Sequence, residues 1–145
     1  MLSPRLGAYL AALWAGVMLC IGLIATPAPF ATLPSADAGR VVGRIFAQEA
    51  YLSLALAVAL FMIVRRQARL AAAAGAGSVV SANVLLVLGA LFCTVAGYFA
   101  LQPMLAAARA GQGAFSFGAL HGAATGFFAL KAILVLVLAW RLGER

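Results

Sequence analysis

Acidic side chains are almost missing from this sequence: Asp and Glu together number three in 145 residues. Charge of either sign is scarce as well, at 9% of the chain, while hydrophobic residues make up 66%. Soluble domains average about 25% charged and roughly 45–50% apolar residues. A chain of one-domain length keeps much of its surface exposed, so it has no room to hide this much apolar area from water. The composition therefore excludes an ordinary soluble fold and makes lipid the expected solvent.

Histidine occurs once, at His121, and cysteine twice, at Cys20 and Cys93. Neither an HxxH nor a CxxC spacing exists, so no metal-binding framework is visible. Both cysteines lie inside apolar runs and read as small apolar fillers. Glu49 is the only acid inside an apolar run, which leaves no carboxylate pair for acid–base chemistry. The segment Gly75-Ala76-Gly77-Ser78 lacks the lysine that a phosphate-binding loop needs. No catalytic residue can be assigned, and nothing in this inventory supports an enzyme. The formal net charge is +7. Its basic residues cluster at the ends of apolar runs and not on a polar domain, which excludes nucleic acid as a partner.

What the sequence does have is long apolar runs. Four are expected to cross the bilayer as helices, at about 6–26, 45–64, 82–101 and 118–140, each near the length a spanning helix needs. The fold expected is all-α: a four-helix integral membrane bundle occupying residues 1–145 as one domain. The first run has an apolar core longer than that of a cleaved signal peptide, so it reads as a retained span. Pro27, Pro29 and Pro34 are expected to interrupt the helix after Thr26. Ser35 reads as a cap for the next helix, with Asp37 in its first turn. The basic cluster Arg65, Arg66 and Arg69 is expected to end the second span, and Gln102-Pro103 the third.

Orientation follows from counting arginines. With both termini cytoplasmic, Arg5, Arg65, Arg66, Arg69, Arg141 and Arg145 lie inside, and Arg40, Arg44 and Arg109 lie outside. Such a count fits a plasma (inner) membrane. The bilayer is then the first partner, with a homo-oligomer or another membrane protein as further ones.

Glycines at 118, 122 and 126 share one face of the fourth span. Gly89, Cys93 and Gly97 make a matching ridge on the third. Small residues let helix backbones approach in lipid, so these six positions are expected to carry helix packing, either between the two spans or toward another protomer. His121 sits inside the fourth ladder, about one turn below the outer surface. Glu49 is placed at a similar depth in the second span, about 5 Å down at 1.5 Å per residue. Ionisable groups in a membrane seek partners. A polar cluster of Glu49 and His121, joined by Arg44 or Gln48, is therefore expected. Lys131 lies deeper, apparently out of reach of Glu49. It reads as a buried cation or as a side chain that snorkels to the surface, with carbonyls, Asn83, Thr94 or a hydroxyl as its available partners.

Four stretches carry a resemblance: Leu13-Trp14-Ala15-Gly16, Thr26-Pro27-Ala28-Pro29-Phe30, the run from Ala38 to Phe46, and Leu120-His121-Gly122. They resemble the domain-of-unknown-function 4149 family, the transmembrane protein 205-like group, in a bacterial form. The resemblance implies four spanning helices and no established reaction. The family is distantly similar to copper-resistance D-type and haem-pathway membrane proteins, which implies metal or porphyrin handling. Here one histidine per chain cannot supply two imidazole ligands to a haem, and Met18, Met62 and Met104 read as core residues. The leading expectation is a non-enzymatic accessory or interaction protein that needs no cofactor. The alternatives are a haem-, porphyrin- or metal-handling protein using His121, and a small transporter that works as an oligomer.

Overall fold

The computed structural model describes residues 4–144. The described chain is helical apart from short connections, and four of its helical stretches are long and apolar enough to cross a membrane: Arg5–Thr32, Ser35–Ala73, Ala82–Arg109 and Phe117–Gly143. All four are longer than the spans expected from hydropathy, and the reasons are local.

The first stretch is α1 (Pro4–Cys20), a π-helical segment (Ile21–Ala25) and α2 (Pro27–Thr32). The prolines at 27 and 29 do not break it. The Thr26 N–H reaches back five residues to the Ile21 carbonyl at 2.9 Å. The widened turn moves the ladder past Pro27, which then starts α2 at a position that needs no intrahelical donor. The break comes later, where Leu33 and Pro34 adopt extended backbone.

The third stretch repeats this device. α4 (Ala82–Thr94) passes through a π-helical segment (Val95–Ala100) into α5 (Leu101–Arg109), so Pro103 lies inside a helix and not at its end. The Ser81 side chain caps α4 by accepting from the Val84 N–H.

α3 (Ser35–Ala73) runs without interruption for 39 residues, about 58 Å at 1.5 Å per residue. Pro34 and not Ser35 occupies its N-cap, and the backbone N–H groups of Asp37 and Ala38 close onto the Pro34 carbonyl. Asp37 does lie in the first turn, where it binds Arg40 at 2.6 Å. The arginine cluster at 65–69 and the alanines after it continue the helix. It ends where Gly75 turns to a φ of 70°. α6 (Phe117–Gly143) is capped by the Ser116 side chain, which accepts from the Ala119 N–H at 3.2 Å.

α1, α3, α4 and α6 form a four-helix bundle in which each packs against its neighbours in chain order, and α6 closes the ring onto α1. α3 therefore faces α6 across the centre, as α1 faces α4. Ala11, Trp14 and Met18 of α1, Leu60 and Val64 of α3, Val87 of α4, and Val135 and Leu138 of α6 fill the interior. Most other apolar side chains point outward, among them Tyr9, Tyr51, Phe92 and Trp140. In water such a surface would aggregate. In hydrocarbon it is the expected exterior.

The small-residue ridge of the third span does meet α6, but not through the glycines of α6. A Cβ on Gly97 would lie 2.5 Å from the Phe127 Cβ, and one on Gly89 would lie 3.1 Å from Leu134 Cδ1. Bulky α6 side chains fill the notches that these glycines leave, with Cys93 buried between them. Gly118, Gly122 and Gly126 have nothing within 4 Å of a built Cβ and are exposed. The expected seam between the two ladders is thus corrected to glycine on one side and Phe or Leu on the other. Helical phase explains it: at about 100° per residue, Gly122 is roughly 180° from the inward-facing Lys131.

Candidate functional site: a buried ion pair across the bundle

At the bundle centre Lys131 of α6 meets Glu49 of α3. The ammonium donates to Glu49 Oε1 at 2.7 Å and Oε2 at 2.9 Å, and to Ser53 Oγ at 3.3 Å. Ser53, one turn beyond Glu49 on the same face of α3, donates its hydroxyl proton to Glu49 Oε1. Trp14 of α1 completes the group by donating from Nε1 to Ser53 Oγ at 2.9 Å. The face of Phe128 lies 5.4 Å from the ammonium, a cation–π contact from the preceding turn of α6.

Every polar atom of this cluster has work within it. Lys131 has three donors and three acceptors. Both carboxylate oxygens of Glu49 accept. The serine hydroxyl donates once and accepts the indole proton. Glu49 is 4% exposed, Lys131 3%, and Trp14 and Ser53 0%. In hydrocarbon each ion alone is costly, about 2.5–3.5 kcal/mol on insertion scales for a lysine. Paired and fully hydrogen-bonded, the two neutralise one another, and three helices are tied at one depth.

The structure corrects two expectations here. Lys131 does not lack an acid, because Glu49 is within reach. Glu49 in turn has Lys131 and not His121 as its partner. The error in depth came from starting the second span at Ile45. α3 starts at Ser35, so Glu49 stands 14 residues in. Lys131 stands 14 residues into α6 from Phe117. The two helices run in the same direction, so equal index gives equal depth. His121 lies ten residues before Lys131, about 15 Å away along the axis. Arg44 and Gln48 point outward and do not join the cluster.

His121 belongs to a different group at the end of the bundle. Its ring stacks on Phe117 with centroids 5.7 Å apart and planes 13° from parallel. The Arg109 guanidinium sits over the other ring of this stack, 4.9 Å from the Phe117 centroid. Among the described residues no group of three or more His, Cys, Asp or Glu side chains is placed to hold a metal ion. Two members of the central cluster, Trp14 and Ser53, were not among the candidate site residues; Trp14 stands out in the sequence only within the stretch Leu13-Trp14-Ala15-Gly16 that carries the family resemblance. Ser53 is marked only by its spacing of four from Glu49.

No curated protein and no solved structure matches the chain. A family profile does. It covers residues 9–114, which include Trp14, Glu49 and Ser53 but stop short of His121 and Lys131. The helical architecture, the four membrane-spanning stretches and this match agree: the chain is a multi-pass membrane protein that belongs to the family described as a domain of unknown function, DUF4149.

Proposed function

We propose that this chain is a non-enzymatic accessory or interaction protein of the bacterial inner membrane that works through helix contacts. The observation carrying this reading is the closure of the central cluster. Glu49, Lys131, Ser53 and Trp14 spend their polar atoms on one another, which suits a clamp better than a site awaiting substrate. The outward-turned glycines of α6 supply a face on which a partner helix can come close. The excess of arginine at the α3–α4 end supports both termini facing the cytoplasm.

The test is photocrosslinking in native membranes. A photoreactive residue at Gly122 is expected to give a defined adduct, and one at Val58 of α3, which is also exposed, is expected to give none. No adduct at Gly122, or the same pattern at both sites, would overturn the reading.

One observation favours a second reading. His121 is exposed on the same helix as three glycines, a surface that a flat porphyrin could approach, and a second copy could supply the other axial imidazole. Visible absorbance of protein purified in mild detergent decides it. A Soret band that disappears in His121→Ala is the expected sign, and its absence removes the reading.

A further inference from the structure

Two features meet at the end of the bundle where α3 finishes and α4 begins. The first is a cavity of about 220 Å³ with a mixed lining, apolar along α3 and carrying the polar side chains of Gln67, Ser78, Ser81 and Asn83. It has several times the roughly 30 Å³ that one water occupies in the liquid. The Gln67 Oε1 atom is buried and has no hydrogen-bond partner among the described residues. Ser78 and Ser81 accept backbone N–H groups, at 3.2 Å and 3.4 Å, so their hydroxyl protons stay available. The second feature is an apolar groove between α4 and α6, lined by Leu85, Leu86, Leu134 and Val137 and closed at one end by Arg141. One hydrogen bond links their linings: Arg141 Nε, at the groove, donates to Asn83 Oδ1, at the cavity, at 2.9 Å. That bond leaves the two terminal guanidinium nitrogens of Arg141 without a protein partner among the described residues.

We propose that this composite site holds one anionic phospholipid. An acyl chain lies in the α4–α6 groove, the phosphate pairs with Arg141, and the polar headgroup enters the cavity. Three arguments commit the site to this occupant. A cavity bearing four polar side chains beside an apolar groove suits an amphiphile better than a free ion or a wholly apolar molecule. The free face of Arg141 is a fork of donors suited to a phosphate oxygen pair. Arg65, Arg66 and Arg69 line neither cavity nor groove, but they lie exposed near the same end of α3 and make that surface favour an anionic lipid over a zwitterionic one. A hydroxylated headgroup would also give the stranded Gln67 oxygen a donor. The inference is independent of whether α6 docks a partner, since the three glycines lie in the first turns of that helix and the groove residues in its last turns.

The experiment is thermal unfolding of the full chain in mild detergent with added lipid. Phosphatidylglycerol is expected to raise the Tm in a concentration-dependent way, because a ligand that binds only the folded state stabilises it. Phosphatidylcholine at the same mole fraction is expected to give no such rise. Two variants should lose the phosphatidylglycerol-specific shift: Arg141→Gln, which removes the phosphate partner, and Val137→Trp, which fills the groove from a position 42% exposed and so leaves the core intact. Inorganic phosphate at matched concentration should have no effect. Equal shifts from both lipids, a shift reproduced by inorganic phosphate, or an unchanged shift in Val137→Trp would each overturn the proposal.

Discussion

Lys131 and Glu49 show what one misplaced helix start does to the reading of a residue. Both were conspicuous in the sequence, because ionisable groups in apolar runs are rare and need partners. Their pairing was hidden, since α3 carries ten residues before Ile45 that count toward depth. Hydropathy sees where hydrocarbon begins and not where the helix does. The pair also makes the sharpest prediction. Lys131→Met alone, or Glu49→Leu alone, leaves a buried charge unpaired and should cost about 3–5 kcal/mol. The double variant should recover much of that loss. Chemical denaturation in detergent measures the three stabilities, and additive losses would argue that the two residues do not interact. Glycine gives a second contrast. Gly97→Ala places a methyl group 2.5 Å from the Phe127 Cβ, so it should destabilise by about 1–3 kcal/mol. Gly122→Ala meets open space and should be neutral or slightly stabilising through its helix propensity.

Among the elements, the four spans were legible because length and apolar content are averages over some twenty residues. Their ends were not. Pro27 and Pro103 read as stops, yet in both places a π-helical turn carries the helix past the proline. A π turn holds one residue more than the α-helical turn it replaces, which no hydropathy window detects. This has a measurable consequence. Deleting Ala96 within Val95–Ala100 should let that segment revert to α-helix while both flanks keep their facing, with little loss of Tm. Deleting the buried Ala90 of α4 should rotate everything beyond it by about 100° and lower the Tm sharply. Equal damage from the two deletions would argue against this account. Phase was the other unread element property. The glycines of α6 were taken for its packing face because small residues often are. The residues that pack are Phe127, Leu134 and Val135, and the burial of Lys131 alone fixes that choice.

For the whole molecule, an even number of spans puts both termini on one side of the membrane. The arginine distribution is the ground on which we propose that this side is cytoplasmic. A cysteine placed at Gln112, between α5 and α6, should react with an impermeant maleimide added outside intact cells, and one placed at Ser78 should react only after the membrane is opened. These probes are read in a background lacking Cys20 and Cys93. The reverse labelling would invert the topology. Within this frame α3 stands out. Hydrocarbon is about 30 Å thick and takes roughly 20 helical residues. Even a steep tilt of about 40° cannot fit a rod of some 58 Å inside it. Its two ends must therefore emerge into headgroups or water on opposite faces of the bilayer, carrying Asp37 and Arg40 at one and Arg65, Arg66 and Arg69 at the other. No proline or π turn lies between them to act as a joint. A push or twist delivered on one surface would thus travel along a single stiff shaft to the opposite surface, swinging the carboxylate at its waist as it went.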